Sequence, residues 1–208
     1  DCWPVASWAL IDSELAPKIA YYFVKNTFNR QVVSFSEKGD SIIINALNQT
    51  SGKDNINLAV TAYDDNTGAL IFAKQVSEKI ASWEKKNILA IAGKELPNNN
   101  NWTLIATLTD ESKNILFRNY YSKSKWKHKK LAAPDIALSL AEENGKQYAK
   151  LTTERPAYFI DLYHLEAEFS DRGFILLPNE EKKAEIISKN SSALQAKDIK
   201  IFTLNNYL

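Results

Sequence analysis

The feature that most constrains the fold is a run of short strand-like segments, separated by turn signals, between residues 31 and 122. In residues 56–62 and again in 102–108, every second position is apolar, which is the period of a strand with one buried face. A hairpin-type loop, Asp64–Gly68, follows the first of these stretches. About seven short strands at regular spacing are typical of an immunoglobulin-like β-sandwich. The predicted strands are 31–35, 41–48, 56–63, 70–76, 88–91, 102–108 and 115–121.

The same pattern returns after residue 134 and predicts a second, smaller immunoglobulin-like β-sandwich over residues 135–208. Its predicted strands are 136–141, 147–153, 157–165, 174–177, 182–187 and 200–204. The lysine-rich residues 123–134 are interpreted as a linker. The predicted fold class is therefore all-β, with two β-sandwich domains in tandem.

Residues 1–30 have a different character, since they are rich in aromatic residues and contain one predicted helix. After Pro17, apolar residues recur at the spacing of one helix face, and the helix is expected to run to about Lys25. A single helix cannot bury the aromatic residues around it, so another element must cover them. This segment is therefore interpreted as the remnant of a preceding domain, which makes the chain the tail of a larger protein.

Composition excludes several classes of partner and site. The chain has 26 basic and 25 acidic residues, so no strong field directs it to nucleic acid or to a membrane surface. Its single cysteine, Cys2, can form no internal disulfide. No apolar run reaches the roughly 18 residues that a membrane span needs. No cofactor, nucleic-acid or membrane partner is predicted, and the localisation stays open.

Three stretches carry a resemblance to a known family. The first is DCWPVASWALID with the later PKIAYY, the second is the Lys127–Pro134 run, and the third is FSDRGFILLPNE at residues 169–180. In order and spacing they resemble the end of the catalytic barrel and the last domains of β-mannosidase-type enzymes of glycoside hydrolase family 2. The chain departs from the family pattern at Arg172, Gly173 and Asn179.

The resemblance implies a retaining glycosidase, of bacterial type, whose (β/α)8 barrel precedes two sandwiches. It places residues 1–30 at the end of that barrel, 31–122 and 135–208 in the sandwiches, and 123–134 between them. Such enzymes use two carboxylates on either side of the scissile bond. No residue here matches either motif, so no catalytic residue is assigned and the chain alone is expected to be inactive.

The same resemblance suggests a site residue and partners. Trp3 would lie at the end of the last barrel strand, where it is predicted either to contact the sugar or to serve as core. Trp8 is predicted to be core. The expected partners are a β-mannoside oligosaccharide bound by the parent barrel and the barrel itself, with homodimerisation left open. A periplasmic or extracellular location is favoured for a bacterial parent.

Other charged clusters are interpreted as structural. The pairs Asp64–Asp65, Glu142–Glu143 and Glu180–Glu181 are read as solvated turn charges, since neighbours on a strand face opposite ways. His164 lies near Asp161 and other acids but lacks the ligand count of a zinc site, so no metal is predicted. The lysine run is read as an extended, solvated linker that Trp126 pins to a sandwich.

Two alternative functions remain. One is a carbohydrate-binding sandwich without catalysis, which would use Trp83 or Trp102; Trp102 is in phase with the apolar face of its strand, whereas Trp83 lies in the irregular stretch 77–87. The other is an extracellular adhesion sandwich, which would have no use for residues 1–30. Within the enzyme reading, related architectures act on β-galactosides or glucosaminides, so the sugar is open.

Overall fold

The computed structural model describes residues 8–52, 54–188 and 194–207. The chain divides into two compact units, of which one contains residues 26–130 and the other contains residues 1–25 with 131–208. The protein is mostly β, as predicted, and each unit contains antiparallel sheets around its own core.

The unit of residues 26–130 is a sandwich of two antiparallel sheets. One sheet has the order β1-β2-β5 and the other the order β4-β3-β6-β7. Their strands are β1 (Gln31–Lys38), β2 (Ser41–Asn48), β3 (Asp54–Asp64), β4 (Leu70–Ile80), β5 (Glu84–Ala92), β6 (Trp102–Thr109) and β7 (Ile115–Tyr121).

The alternation seen in the sequence is the reason for this arrangement. Along β3 the apolar residues Ile56, Leu58, Val60 and Ala62 are all buried, and they meet buried residues of β2, β5 and β6 in one core. A strand buries every second side chain, so these four positions face the opposite sheet together. All seven strands were predicted, with bounds that differ by a few residues.

The largest difference lies in residues 77–87, which the sequence suggested were irregular. Strand β4 continues to Ile80 and β5 already begins at Glu84, so only three residues separate them. The two strands belong to different sheets, and Ala81, Ser82 and Trp83 make the turn between the layers. Charged residues such as Glu78 and Lys86 concealed the strands because they form an ion pair at the partly exposed surface.

The second unit combines two further antiparallel sheets with one helix. Its sheets have the orders β11-β13-β9-β8 and β12-β10-β14. The elements are α1 (Ile19–Thr27), β8 (Ile136–Glu143), β9 (Lys146–Thr153), β10 (Ala157–Tyr163), β11 (Ala167–Phe169), β12 (Phe174–Leu176), β13 (Lys182–Ser188) and β14 (Lys200–Phe202). Single-turn 3-10 helices lie at Gly93–Glu95, Trp126–His128, Ala196–Asp198 and Leu204–Asn206.

Strand β11 was missed in the sequence. The apolar stretch 157–165 suggested one long strand, but β10 ends at Tyr163 and the chain turns back at once. An isolated bridge between His164 and Ala167 closes this turn, and the backbone N–H of Glu166 donates to His164 Nδ1 over 3.1 Å. His164 therefore lies in a turn and not on a strand surface.

Helix α1 has a partner within its own unit, which corrects the expectation that nothing in the chain could cover it. Tyr22 is buried, and its Oη donates to the backbone oxygen of Phe169 over 2.8 Å. The ring of Phe23 lies 5.8 Å from that of Phe159 on β10. The helix begins at Ile19, two residues after Pro17, in agreement with the expectation of a helix after Pro17.

Candidate functional site

The aromatic residues predicted as sugar contacts or as core have different positions. Trp3 falls within residues 1–7 and so lies outside the described residues. Trp8 was predicted to be a core residue that seals the barrel to the sandwich; within this chain it is 102% exposed, so its burial against a barrel stays a prediction. Asp12 organises the turn that follows, since its Oδ1 accepts the backbone N–H groups of Glu14 and Ala16.

Trp102 and Trp83, the two tryptophans considered as sugar contacts in the carbohydrate-binding alternative, differ in their burial. Trp102 is 2% exposed, its Nε1 donates to the backbone oxygen of Pro97 over 2.9 Å, and its ring lies 6.2 Å from Tyr121. A fully packed indole with its N–H satisfied is a core residue, so Trp102 offers no surface for a ligand. Trp83, in contrast, is 72% exposed at the tip of the turn between β4 and β5.

Most of the acidic pairs are structural, as predicted. Glu143 forms an ion pair with Lys183 over 2.6 Å, and Glu181 forms one with Lys150 over 3.1 Å. The carboxyl pKa of Glu143 is lowered by the hydrogen bond from Lys183. These are partly exposed pairs that tie neighbouring strands together, and such contacts contribute little to stability individually.

Asp65 contradicts its predicted role as a solvated turn charge. Its side chain is completely buried and is paired with the equally buried side chain of Lys129. Asp65 Oδ1 also accepts a hydrogen bond of 2.8 Å from Thr103 Oγ1. A buried carboxylate is costly unless it is paired in this way, so the hairpin loop carries a fixed internal charge and not a surface one.

Lys129 is the centre of this group of four residues, Lys129, Asp65, Thr103 and Trp102, which we call the Lys129 cluster. Its Nζ contacts the Asp65 carboxylate, the backbone oxygen of Trp102 at 2.9 Å and Thr103 Oγ1 at 3.1 Å. The Nζ also lies 5.1 Å from the centre of the Trp126 ring. Burial lowers the pKa of Lys129 and outweighs the opposing effect of Asp65.

The Lys129 cluster corrects the interpretation of the lysine-rich run. Residues 123–128 and 130 are exposed or half-buried, as a solvated segment would be, but Lys129 among them is internal. The ring of Trp126 lies 5.5 Å from that of Tyr120, which confirms that this tryptophan fixes the segment to the sandwich. Charge alone could not separate Lys129 from its neighbours, because the acid that neutralises it is 64 residues away in the sequence.

Arg172 joins helix α1 to the C-terminal sandwich. Its guanidinium donates to both carboxylate oxygens of Asp161, at 2.6 Å and 3.0 Å, and to the backbone oxygen of Pro17 at 3.3 Å. It also lies 5.9 Å from the centre of the Tyr22 ring. Burial pulls the pKa of Arg172 down, but the bonds and charge of Asp161 prevail and raise it.

The same contacts explain the titration of Tyr22 and the use of Asp161. Burial raises the phenol pKa of Tyr22, partly offset by the charge of Arg172. Asp161, which lies near His164 in the sequence, forms an ion pair with Arg172. Within residues 8–52, 54–188 and 194–207, no group of three His, Cys, Asp or Glu side chains is placed to hold a metal ion.

In the part of the chain that the structure describes, no helix has the length and apolar character to cross a bilayer. The described helix α1 has nine residues.

Comparison with known proteins connects this architecture to a class of domains. Residues 131–207 match the family model Ig_mannosidase, described as an Ig-fold domain. No curated protein matches the sequence.

Two solved structures share the fold of the chain. A β-D-mannosidase from Dictyoglomus thermophilum superposes with a TM-score of 0.81 and 20% identity, over 98% of this chain and 25% of that one. An exo-chitosanase from Amycolatopsis orientalis superposes with a TM-score of 0.62 and 16% identity, over 95% of this chain and 28% of that one. The chain therefore spans about a quarter of the length of these enzymes.

By its fold the chain is an all-β protein of immunoglobulin-like sandwiches, and its C-terminal unit carries the Ig_mannosidase domain. The resemblance suggested by the sequence agrees with these matches, since residues 131–207 match an Ig_mannosidase domain and the chain shares its fold with a β-D-mannosidase and an exo-chitosanase.

Proposed function

We propose that this chain supplies the non-catalytic C-terminal domains of a retaining β-mannosidase-type glycoside hydrolase, which removes β-linked mannose from oligosaccharides. The observation that carries the proposal is the combined match of residues 131–207 to Ig_mannosidase and of 98% of the chain to the fold of a β-mannosidase. The order of the DCWP, lysine-rich and FSDRGF stretches in the sequence supports the same parent enzyme.

The carboxylates of this chain favour an accessory role for it, and not a catalytic one. A retaining glycosidase needs two carboxyl groups about 5 Å apart, one as acid and one as nucleophile. The acidic residues considered as catalytic or metal-binding candidates form ion pairs instead. Asp65 is paired with Lys129, Asp161 with Arg172, and Glu143 with Lys183. Hydrolysis is therefore assigned to the parent barrel.

The N-terminal segment is the part proposed to meet that barrel. Trp8 and Leu15 project almost fully into solvent just before α1, and Ile19 and Phe23 on the helix are still more than a third exposed. Exposed apolar residues grouped in this way mark an interaction surface. Trp3, which precedes them, is proposed as a contact to the sugar at the mouth of the barrel.

The test has two measurements. The coding sequence that precedes Asp1 should specify a barrel with glutamates at the ends of two of its strands, and the parent protein should hydrolyse 4-nitrophenyl β-mannoside. The 208-residue chain alone should give no turnover above a buffer blank. Turnover by the purified chain, or a preceding sequence without such a barrel, would refute the proposal. A parent enzyme that prefers the β-glucosaminide would correct the sugar and keep the architecture.

A further inference from the structure

The exposed Trp83 has an unusual backbone conformation. The N–H of Glu84 donates to the backbone oxygen of Ala81 over 3.2 Å, so Trp83 is the third residue of a four-residue turn. Its φ is 58°, in the left-handed region that turns normally fill with Gly or Asn. A bulky aromatic residue in this region is a strained outlier, and such strain is found most often at functional positions.

Hydrogen bonds of three side chains, Glu84, Ser82 and Asn48, hold the turn in this conformation. The N–H of Ala81 donates to Glu84 Oε2 over 2.7 Å, and Ser82 Oγ donates to the backbone oxygen of Thr50 over 2.7 Å. The Nδ2 amide of the buried Asn48 donates to the backbone oxygens of Ile80, Ala81 and Gly52. The backbone of the turn that carries Trp83 is therefore ordered before any ligand binds, so binding does not have to order it.

The residues around the Ser82–Thr50 hydrogen bond are polar. Gln49 and Ser51 flank Thr50 on the loop between β2 and β3 and are exposed, Ser82 precedes Trp83 and is half-buried, and Lys85 is exposed on β5. The other large exposed apolar residues of this unit, Phe28, Leu70 and Ile115, belong to other strands or loops. The site thus combines one flat aromatic face with hydroxyl and amide groups.

The size of the site limits what can bind there. A buried tryptophan contributes roughly 150–250 Å² of surface, so this one ring offers less than about 200 Å². A stable protein interface buries at least about 1,000 Å² in total. One indole with a polar border is matched instead to a small ligand that has an apolar face and a polar rim, and a pyranose ring has this character.

We propose that Trp83 is the stacking platform of a carbohydrate-binding site on the first sandwich, which takes one pyranose unit of a β-linked oligosaccharide. The indole covers the C–H face of the sugar, and the polar groups of Gln49, Ser51 and Ser82 border its hydroxyls. The site does not depend on the accessory role proposed above, because it needs neither a barrel nor hydrolysis.

The test is binding of mannohexaose, cellohexaose and chitohexaose to the 208-residue chain, measured by titration calorimetry and by indole fluorescence. At least one of the three should bind, and Trp83→Gly should weaken its affinity at least tenfold. Trp8→Ala, which removes an exposed indole that belongs to the other unit, should leave the affinity unchanged. Because Gly relieves the left-handed strain, Trp83→Gly should also raise the midpoint of thermal unfolding.

Four results would overturn the proposal. The first is that none of the three sugars binds, and the second is that Trp83→Gly binds as well as the original chain. The third is a lowered unfolding midpoint in Trp83→Gly, which would make the indole a structural group. Binding to phosphatidylcholine vesicles or to a proline-rich peptide in place of the sugars would likewise exclude it. None of these outcomes changes the hydrolysis test of the parent enzyme.

Discussion

At the scale of single residues, Gly173 shows how one position adapts the C-terminal sandwich to helix α1. Its φ is 73°, and a Cβ placed there would lie 2.7 Å from Phe23 Cε2 and 3.1 Å from Ile19 Cγ1. The neighbouring Arg172 reaches back to Pro17 and Asp161. Both residues depart from the family pattern noted in the sequence, and both have a local reason, since together they seat the helix.

Gly173→Ala should therefore destabilise the chain more than a glycine replacement that meets no neighbour. Gly145 is the matched control, because its φ of 74° is almost the same and a Cβ there would have nothing within 4 Å. Both changes carry the backbone cost of about 1 kcal/mol for losing glycine at positive φ. Crowding at Phe23 and Ile19 adds a further loss for Gly173→Ala, near the lower end of about 1–3 kcal/mol because both side chains are partly exposed and can shift. Urea denaturation measures the difference, and equal losses would show that α1 does not pack closely on this loop.

At the scale of elements, the sequence predicted strands well where their apolar faces alternate without interruption. Strands β2 and β7 were predicted with their observed bounds, Ser41–Asn48 and Ile115–Tyr121, and β6 nearly so. The C-terminal end of β4 and the start of β5 were missed because charged residues on their outward faces interrupt the apolar pattern. Strand β11 was missed because its three residues follow β10 after a turn that contains neither Gly nor Pro, so no turn signal separates the two strands in the sequence.

The Lys129 cluster is the element-scale feature that sequence could not reveal. A lysine within a lysine-rich run is expected in solvent, and an aspartate in a hairpin loop likewise. Only the fold brings Asp65 at the end of β3 beside the segment after β7, and there the two charges become internal. This segment is thereby fastened to the sandwich as far as Lys129.

Lys129→Met should reveal how much the buried pair contributes, since it leaves Asp65 buried without its cation. Breaking a buried pair on one side costs about 3–5 kcal/mol of unfolding free energy. The double variant Lys129→Met with Asp65→Asn should be more stable than Lys129→Met alone, because the uncompensated charge is gone while Thr103 keeps a hydrogen-bond partner.

The control for this pair is Lys86→Met, which breaks a partly exposed ion pair with Glu78 in the same sandwich and should change stability little. Denaturant unfolding compares all four proteins. Equal effects of Lys129→Met and Lys86→Met would show that the Lys129 cluster is solvated in solution. A double variant that is less stable than Lys129→Met would show that Asp65 has further favourable contacts.

At the scale of the whole molecule, the sequence predicted two sandwiches and the class of protein, but not which segments share a core. The repeated strand pattern gave the fold class, and the DCWP and FSDRGF stretches gave the family resemblance. The helix, however, was separated from the rest on the ground that nothing was available to cover it. Its contacts are with Phe159, Phe169 and Gly173, which lie more than 130 residues away, and no local pattern encodes a pairing at that distance.

The two hydrophobic cores share no residue, so we expect the two units to unfold locally as separate cooperative units. Leu104 on β6 and Leu151 on β9 are both fully buried, one in each core, so their replacement by alanine removes the same atoms from different units. Each change should cost about 2–5 kcal/mol, through lost burial and the cavity left behind.

Hydrogen exchange locates this cost. Opening occurs in cooperative units whose free energies differ, so Leu104→Ala should speed amide exchange in β1–β7 and leave β8–β14 nearly unchanged. Leu151→Ala should do the reverse. Because the deleted side chain is the same, any difference between the two patterns must come from the core to which each leucine belongs. Faster exchange throughout the chain in both variants would mean that both cores unfold in one cooperative transition. The two units would then not be independently stable.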